Sequence, residues 1–203
     1  MPDQYFTREP ESASRPVECV FSYRGKTLRF MTDAGVFSRG ELDTGTRLLL
    51  EALPETLTGE VLDLGCGWGP IGVCVKTTWP EARVTMADVN LRALDWSREN
   101  AGRNGAEVEI LESDGFAALR DRTFDAVITN PPIRAGKQVI YRMFADARDH
   151  LRPGGSLFLV IRKQQGAESC VKYLKTLFSE VEKLDRSGGF WVLAARNPQE
   201  NAD

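Results

Sequence analysis

The sequence predicts an α/β fold: a doubly wound, mostly parallel seven-stranded sheet that closes in an antiparallel C-terminal hairpin and follows a small N-terminal β-hairpin. Three observations carry this. From residue 60 onward, short apolar runs alternate strictly with stretches of helical length. The first run ends in a glycine-rich loop, LDLGCGWGPIG (62–72), that opens a helix. The tips of the next three runs read ADVN (87–90), ESDG (112–115) and TNPP (129–132), so four successive strand ends carry Asp or Asn.

Each element follows from its local chemistry. Residues 1–16 are polar and proline-bearing and are expected to form a flexible N-terminus on the surface. VECVFSYRGKTLRFMTD (17–33) reads as two alternating strands around a turn at Arg24-Gly25. GVFSRGELDTGTRLLLEAL (35–53) is a glycine-punctuated loop running into a helix, with Asp43 or Thr44 as N-cap. Strands are then expected at 60–64, 83–87, 107–111, 124–129 and 156–161, with a closing pair near 180–185 and 190–195 joined through RSGG. Helices fall from about 70, over 91–103, about 136–151 and 167–178. This makes 17–203 one domain, with 17–58 as hairpin, loop and helix and 59–196 as the core.

Composition excludes several function classes. At 203 residues, 42% hydrophobic and a net charge of −3, the chain carries no global basic field, so contact with nucleic acid must come from a local patch. Its four cysteines show no CxxC spacing and there is one histidine, so no metal site is expected. Free thiols suit a reducing, cytoplasmic setting. No apolar run reaches the length of a membrane span, and the N-terminus does not read as a signal peptide.

In a doubly wound sheet, ligands bind beyond the carboxyl ends of the strands, near the switch point. Gly67-Trp68-Gly69-Pro70-Ile71-Gly72 formally matches the dinucleotide fingerprint GxGxxG, and Asp88 stands about twenty residues on, where it can take ribose hydroxyls. Two residues argue against a diphosphate. Asp63, two positions before the first glycine, repels a pyrophosphate but can pair with an ammonium. Pro70 removes one of the helix N-terminal amides that grip phosphate. The ligand expected is an adenosine with a positively charged tail, a description met by S-adenosyl-L-methionine.

VLDLGCGWGPIG, ADVN, ESDG and NPPIRAGK together resemble class I S-adenosylmethionine-dependent methyltransferases of the Rossmann-like fold that carry an NPP-type motif for amino-group methylation. GVFSRGELDTGTRLLLEAL is similar to the loop and helix ahead of the core in small-subunit ribosomal RNA guanine-N2 methyltransferases, especially their short single-domain relatives. The resemblance spans roughly residues 20 to 196. It implies that Asp63, Gly65, Gly67 and Gly69 cradle the methionine portion of the cofactor and that Asp88 takes the ribose. It further implies that Asp114 and the Gly115 amide meet the adenine, with Phe37 and Ser38 in a loop folded over the cofactor.

The same resemblance places catalysis at Asn130, Pro131, Pro132 and Ile133. Proline restricts the residue before it to extended geometry, so the strand stops at Asn130 and presents its amide and the Pro131 carbonyl at a tip. An exocyclic amine is a poor nucleophile because its lone pair is delocalised into the ring. If those two oxygens each accept one N–H, the lone pair is freed toward the methyl group and positioning supplies most of the rate. No base is required, which agrees with His150 falling at a helix end, where it reads as a solvated C-terminal residue. Where relatives often carry Tyr or Phe after NPP to stack on a flipped base, this chain has Ile133; Phe37, Phe190 and Trp191 are candidates to compensate.

Arg134 and Lys137 are expected to bind the substrate, in a basic rim with Arg162, Lys163, Arg24 and Lys26 that suits RNA phosphates. Three functions stay open: guanine-N2 methylation of ribosomal RNA; methylation of another amine, namely adenine N6, cytosine N4 or a protein glutamine; and a non-catalytic cofactor-binding subunit of a partner enzyme.

Overall fold

The structure, a computed structural model, describes residues 7–10 and 12–198. The first six residues of the expected flexible N-terminus lie outside the described residues. Those described lie against the surface: the Arg8 carbonyl accepts from the Leu91 N–H at 3.0 Å, and the Arg8 guanidinium pairs with Glu112 at 2.6 Å.

The N-terminal hairpin is β1 (Val17–Tyr23) and β2 (Lys26–Thr32), antiparallel, turning through positive φ at Arg24 and Gly25. That turn geometry matches the right-handed twist of the flanking strands. Alternation turns Phe21 and Phe30 inward, where their rings stack at 5.0 Å. α1 (Thr44–Glu51) follows, capped by Asp43, whose side chain accepts from the Thr46 N–H. The central strands β3 (Glu60–Leu64), β4 (Arg83–Asp88), β5 (Glu109–Glu112), β6 (Phe124–Thr129) and β7 (Leu151–Arg162) run parallel. Between them come α2 (Pro70–Thr78), α3 (Leu91–Arg103) and α4 (Lys137–Asp149); α5 (Ala167–Leu177) precedes β8 (Phe178–Asp185) and β9 (Phe190–Pro198).

Sheet order is β5-β4-β3-β6-β7-β9-β8, with β9 antiparallel to both neighbours. The chain steps outward from β3 through β4 and β5, then returns to the other side of β3 with β6. The switch point thus lies between β3 and β6, where two diverging connections leave a crevice at the strand ends. Apolar side chains on one sheet face pack under α1, α2, α3 and the hairpin, and those on the other under α4 and α5. Burial on both faces is why the central strands read as continuous apolar runs.

Beyond shifts of a few residues at other element ends, two features differ from expectation. β7 begins at Leu151, five residues early, because Leu151 pairs with Phe124 across a register shift before the main ladder resumes at Ser156. The closing hairpin also does not simply append itself: its second strand inserts between β7 and the first.

Candidate active site

A cavity of about 340 Å³ opens at the carboxyl ends of β3 and β6. Its wall brings together Gly65, Gly67, Asp88, Asp114, Gly115 and Asn130, contributed by the loops after four different strands. Gly65 and Gly67 have φ of 72° and 57°, and a Cβ at either would meet nothing within 4 Å. Glycine is needed there for the left-handed backbone, and the space above it is open for a ligand.

Asp88 is set by the loop it faces. One carboxylate oxygen accepts the Gly67 N–H at 2.8 Å and the other the Asn90 N–H at 2.8 Å. Burial raises its pKa, opposed by these amide bonds. Each oxygen keeps a further lone pair, enough for two ribose hydroxyls. Ser113 holds the next tip: its hydroxyl donates to the Gly115 carbonyl at 2.8 Å and accepts from the Ala118 N–H. Asp114 itself stays exposed at the cavity edge.

Two of the residues predicted to cradle the methionine portion are not in that wall. Asp63 is 1% exposed beneath the loop, with one oxygen accepting the Gly72 N–H at 2.8 Å and Oδ1 buried without a donor. Its expected direct contact with the ligand is corrected to a brace under the loop. Burial pushes its pKa up to about 7, against the Gly72 bond and with the help of the nearby Asp88 charge. A cation bound at the loop favours the ionised form and a pyrophosphate opposes it, so the site still fits an adenosine with a cationic tail. Gly69 caps α2 with φ of 91° and faces the core, where a Cβ would come within 2.6 Å of Met86. It serves helix–sheet packing.

Phe37 lines the cavity from above, and its carbonyl accepts the Trp68 indole N–H at 2.8 Å. Trp68 is buried edge-on to Phe30, so one ring ties the glycine loop to the hairpin and to the loop at 35–38. Asn90 adds a second tie through its side-chain bond to the Gly35 carbonyl. Neither tether was legible as such in the sequence, since Trp68 reads as a loop residue and Asn90 as one more polar strand tip.

A second cleft of about 480 Å³ adjoins the first. Val36, Phe37, Asn130 and Pro131 stand in the walls of both, so the NPP turn is the partition. The Asn130 amide nitrogen donates to Asp43 Oδ2 at 3.1 Å and to Thr46 Oγ1 at 2.9 Å. A carboxylate can only accept, so the amide nitrogen must face it and the Asn130 oxygen must face away. Among the described residues nothing donates to that oxygen or to the Pro131 carbonyl. Sequence reading found Asp43 as a helix cap only and missed Thr46; no spacing signal links either to Asn130.

Pro132 lines the first cavity, whereas Ile133 and Arg134 line the second with Ser38, Arg162 and Phe190. The Arg162 guanidinium lies 4.6 Å over the Phe190 ring. Lys137 does not join them: it stands on α4 with its ammonium over Tyr141 at 5.0 Å. Nor do Arg24 and Lys26, because the hairpin tip packs on the segment after α1 and on the end of α2. Arg24 donates to the Leu53 and Pro54 carbonyls and Lys26 to the Thr77 carbonyl. His150 does cap the end of α4, but its ring stacks on Phe116 at 4.4 Å, so it is packed where a solvated residue was expected. No helix among the described residues is long and apolar enough to cross a membrane, and no group of metal-ligating side chains occurs among them.

The family model described as the methyltransferase small domain matches residues 27–194, from β2 into β9. The chain belongs to that family. That family is one of methyltransferases, in agreement with the resemblance carried by the glycine loop, the acidic strand tips and the NPP turn. It is 39% identical to uncharacterized protein YbxB of Bacillus subtilis over 97% of this chain and 99% of that one. It is 37% identical to ribosomal RNA small subunit methyltransferase C of Haemophilus influenzae, over 87% of this chain and 54% of the relative. Among solved structures it is similar to the Thermus thermophilus 16S rRNA N2 G1207 methyltransferase in complex with AdoMet and guanosine, with a TM-score of 0.79 and 30% identity. That match covers 89% of this chain and 50% of the other, so the chain spans about half the length of the ribosomal RNA methyltransferases it matches.

Proposed function

We propose that this methyltransferase acts on the exocyclic N2 amine of a guanine in ribosomal RNA. The observation that carries the reading is the fixed orientation of Asn130, whose nitrogen is held by Asp43 and Thr46 while its oxygen and the Pro131 carbonyl remain as acceptors between two cavities. The inner cavity takes the cofactor: Asp88 the ribose, Asp114 and the Gly115 amide the adenine, Gly65 and Gly67 the methionine portion, with Phe37 above. When bound, S-adenosylmethionine supplies a methyl group on a sulfonium. The outer cleft takes the base against Ile133, with Phe190 as an aromatic wall. Two acceptors for two amine hydrogens orient the nitrogen lone pair toward the partition, and no base is required because the amine acidifies as it becomes cationic.

Arg134 and Arg162 at the rim of the outer cleft suit phosphates flanking a splayed-out base. Lys163, exposed beyond Arg162, extends that rim, whereas Lys137 is assigned a secondary part at most. The guanine and ribosomal RNA assignments draw on relatives named for that activity, and the cytoplasmic setting expected from the free thiols suits such a substrate. The deciding experiment is nucleoside mass spectrometry of ribosomal RNA incubated with the protein and methyl-labelled cofactor. N2-methylguanosine is expected. Label in N6-methyladenosine, N4-methylcytidine or protein would move the substrate, and no label in any of them would leave a non-catalytic subunit.

A further inference from the structure

We propose that Asp43 selects the base, admitting one whose ring nitrogen beside the amine carries a proton and refusing one whose ring nitrogen there carries a lone pair. This rests on the amine-methylation reading above and goes beyond it to the residue that sets specificity. Asp43 lines the outer cleft next to Asn130 and Pro131. Its Oδ2 is occupied, accepting from the Thr46 N–H at 3.0 Å and from the Asn130 amide at 3.1 Å. No described residue donates to its Oδ1, and no ion pair links it to Arg134 or Arg162 across the cleft.

Around the NPP turn the wall therefore presents acceptors, the Asn130 oxygen, the Pro131 carbonyl and a carboxylate, while its donors Ser38, Arg134, Arg162 and Gln165 belong to other segments of the cleft. Guanine offers the matching edge, an amine of two N–H donors beside a protonated N1. Adenine and cytosine place a lone pair beside their amines, at N1 and N3, which would face the Asp43 charge. A site built from hydrogen-bonding groups rejects an analogue that leaves them unpaired or opposed far more strongly than a mere change of size would. Asp43 acts twice, by fixing the Asn130 amide as an acceptor and by reading the neighbouring ring position itself.

The probe is 2-aminopurine riboside, which keeps the N2 amine of guanosine but has an unprotonated N1. With S-adenosylhomocysteine present, fluorescence titration of the riboside and its competition by guanosine give the two affinities. The wild type is expected to prefer guanosine by about tenfold or more, within the roughly 5–150-fold span of a good paired contact. Asp43→Asn keeps a strong helix cap but turns a donor toward the cleft, so it should abolish or invert that preference. Asp43→Ser, also a good cap, should remove the preference without inverting it, and melting temperatures confirm that both variants fold. A wild type that does not distinguish the two ligands, fails to bind guanosine, or keeps its preference in both variants overturns the proposal. If N2-methylguanosine still forms in ribosomal RNA in those cases, the methylation reading stands and only Asp43 loses its role.

Discussion

Removing the Asn130 side chain separates catalysis from stability more cleanly than any other change at this site. Asn130→Ala deletes the acceptor for the target amine and two bonds donated to Asp43 and Thr46. Asp43 keeps the Thr46 N–H, so the stability cost should be about 1 kcal/mol, or a melting temperature lower by about 2–4 °C. Methyl transfer should fall about 10²–10³-fold, the range for one preorganised polar contact to a transition state. Asn130→Asp behaves differently. It keeps the shape but sets a second carboxylate 3.1 Å from Asp43, a repulsion of at most roughly 5 kcal/mol at an effective dielectric of about 20. One of the two must then hold a proton in the folded state, so its folded pKa is raised. The variant should match the wild type near pH 4 and lose stability progressively as pH rises through that pKa. Single-turnover rates measured beside melting curves at pH 5 and pH 8 test both variants. The reasoning fails if the Asn130→Ala rate falls only as far as its stability does, or if Asn130→Asp melts like the wild type at pH 8.

Replacing Asp88 with Ala frees the Gly67 and Asn90 amides and removes the ribose acceptors, so S-adenosylhomocysteine affinity should drop by about 2–3 kcal/mol in calorimetry; unchanged affinity would place the ribose elsewhere. In thermal shift, S-adenosylhomocysteine at about 100 times its Kd should raise the melting temperature by roughly 5–10 °C, and NAD should not; a shift with NAD alone contradicts the cofactor assignment. Asp63 is held near a pKa of about 7 by burial, roughly three units above its unfolded value. Its contribution is therefore favourable below about pH 4 and is lost as pH rises through 7, up to about 4 kcal/mol in all. Urea melts of Asp63→Asn should lack that slope between pH 5 and 9, and an identical slope in both proteins would mean Asp63 is ionised throughout.

The expected strands survive in the structure because a parallel strand buried on both faces has to be a continuous apolar run, which any window of residues reveals. The four tips were equally legible: a polar residue ending such a run can only sit at the sheet's edge. Gly65, Gly67, Asp88, Asp114 and Asn130 therefore meet at one cavity as expected. Direction was less legible than position. Asp63 and Gly69 sit in the right loop but point beneath it, because strand and helix geometry turns alternate residues to opposite sides and sequence spacing through a loop of glycines does not keep count.

The sequence by itself determined the sheet, the glycine cradle, the acidic tips and the NPP turn, since each is written in consecutive residues under local steric rules. Tertiary structure alone decided which way Asn130 faces, through Asp43 and Thr46 more than eighty residues away. It also decided that β9 enters between β7 and β8, bringing Phe190 and Arg162 to the outer cleft, and that Arg24 and Lys26 turn away from it. The reason is the same in each case. These contacts join segments far apart along the chain, and what brings them together is the burial of apolar faces between layers, a property of the whole packed chain that no short window of residues contains.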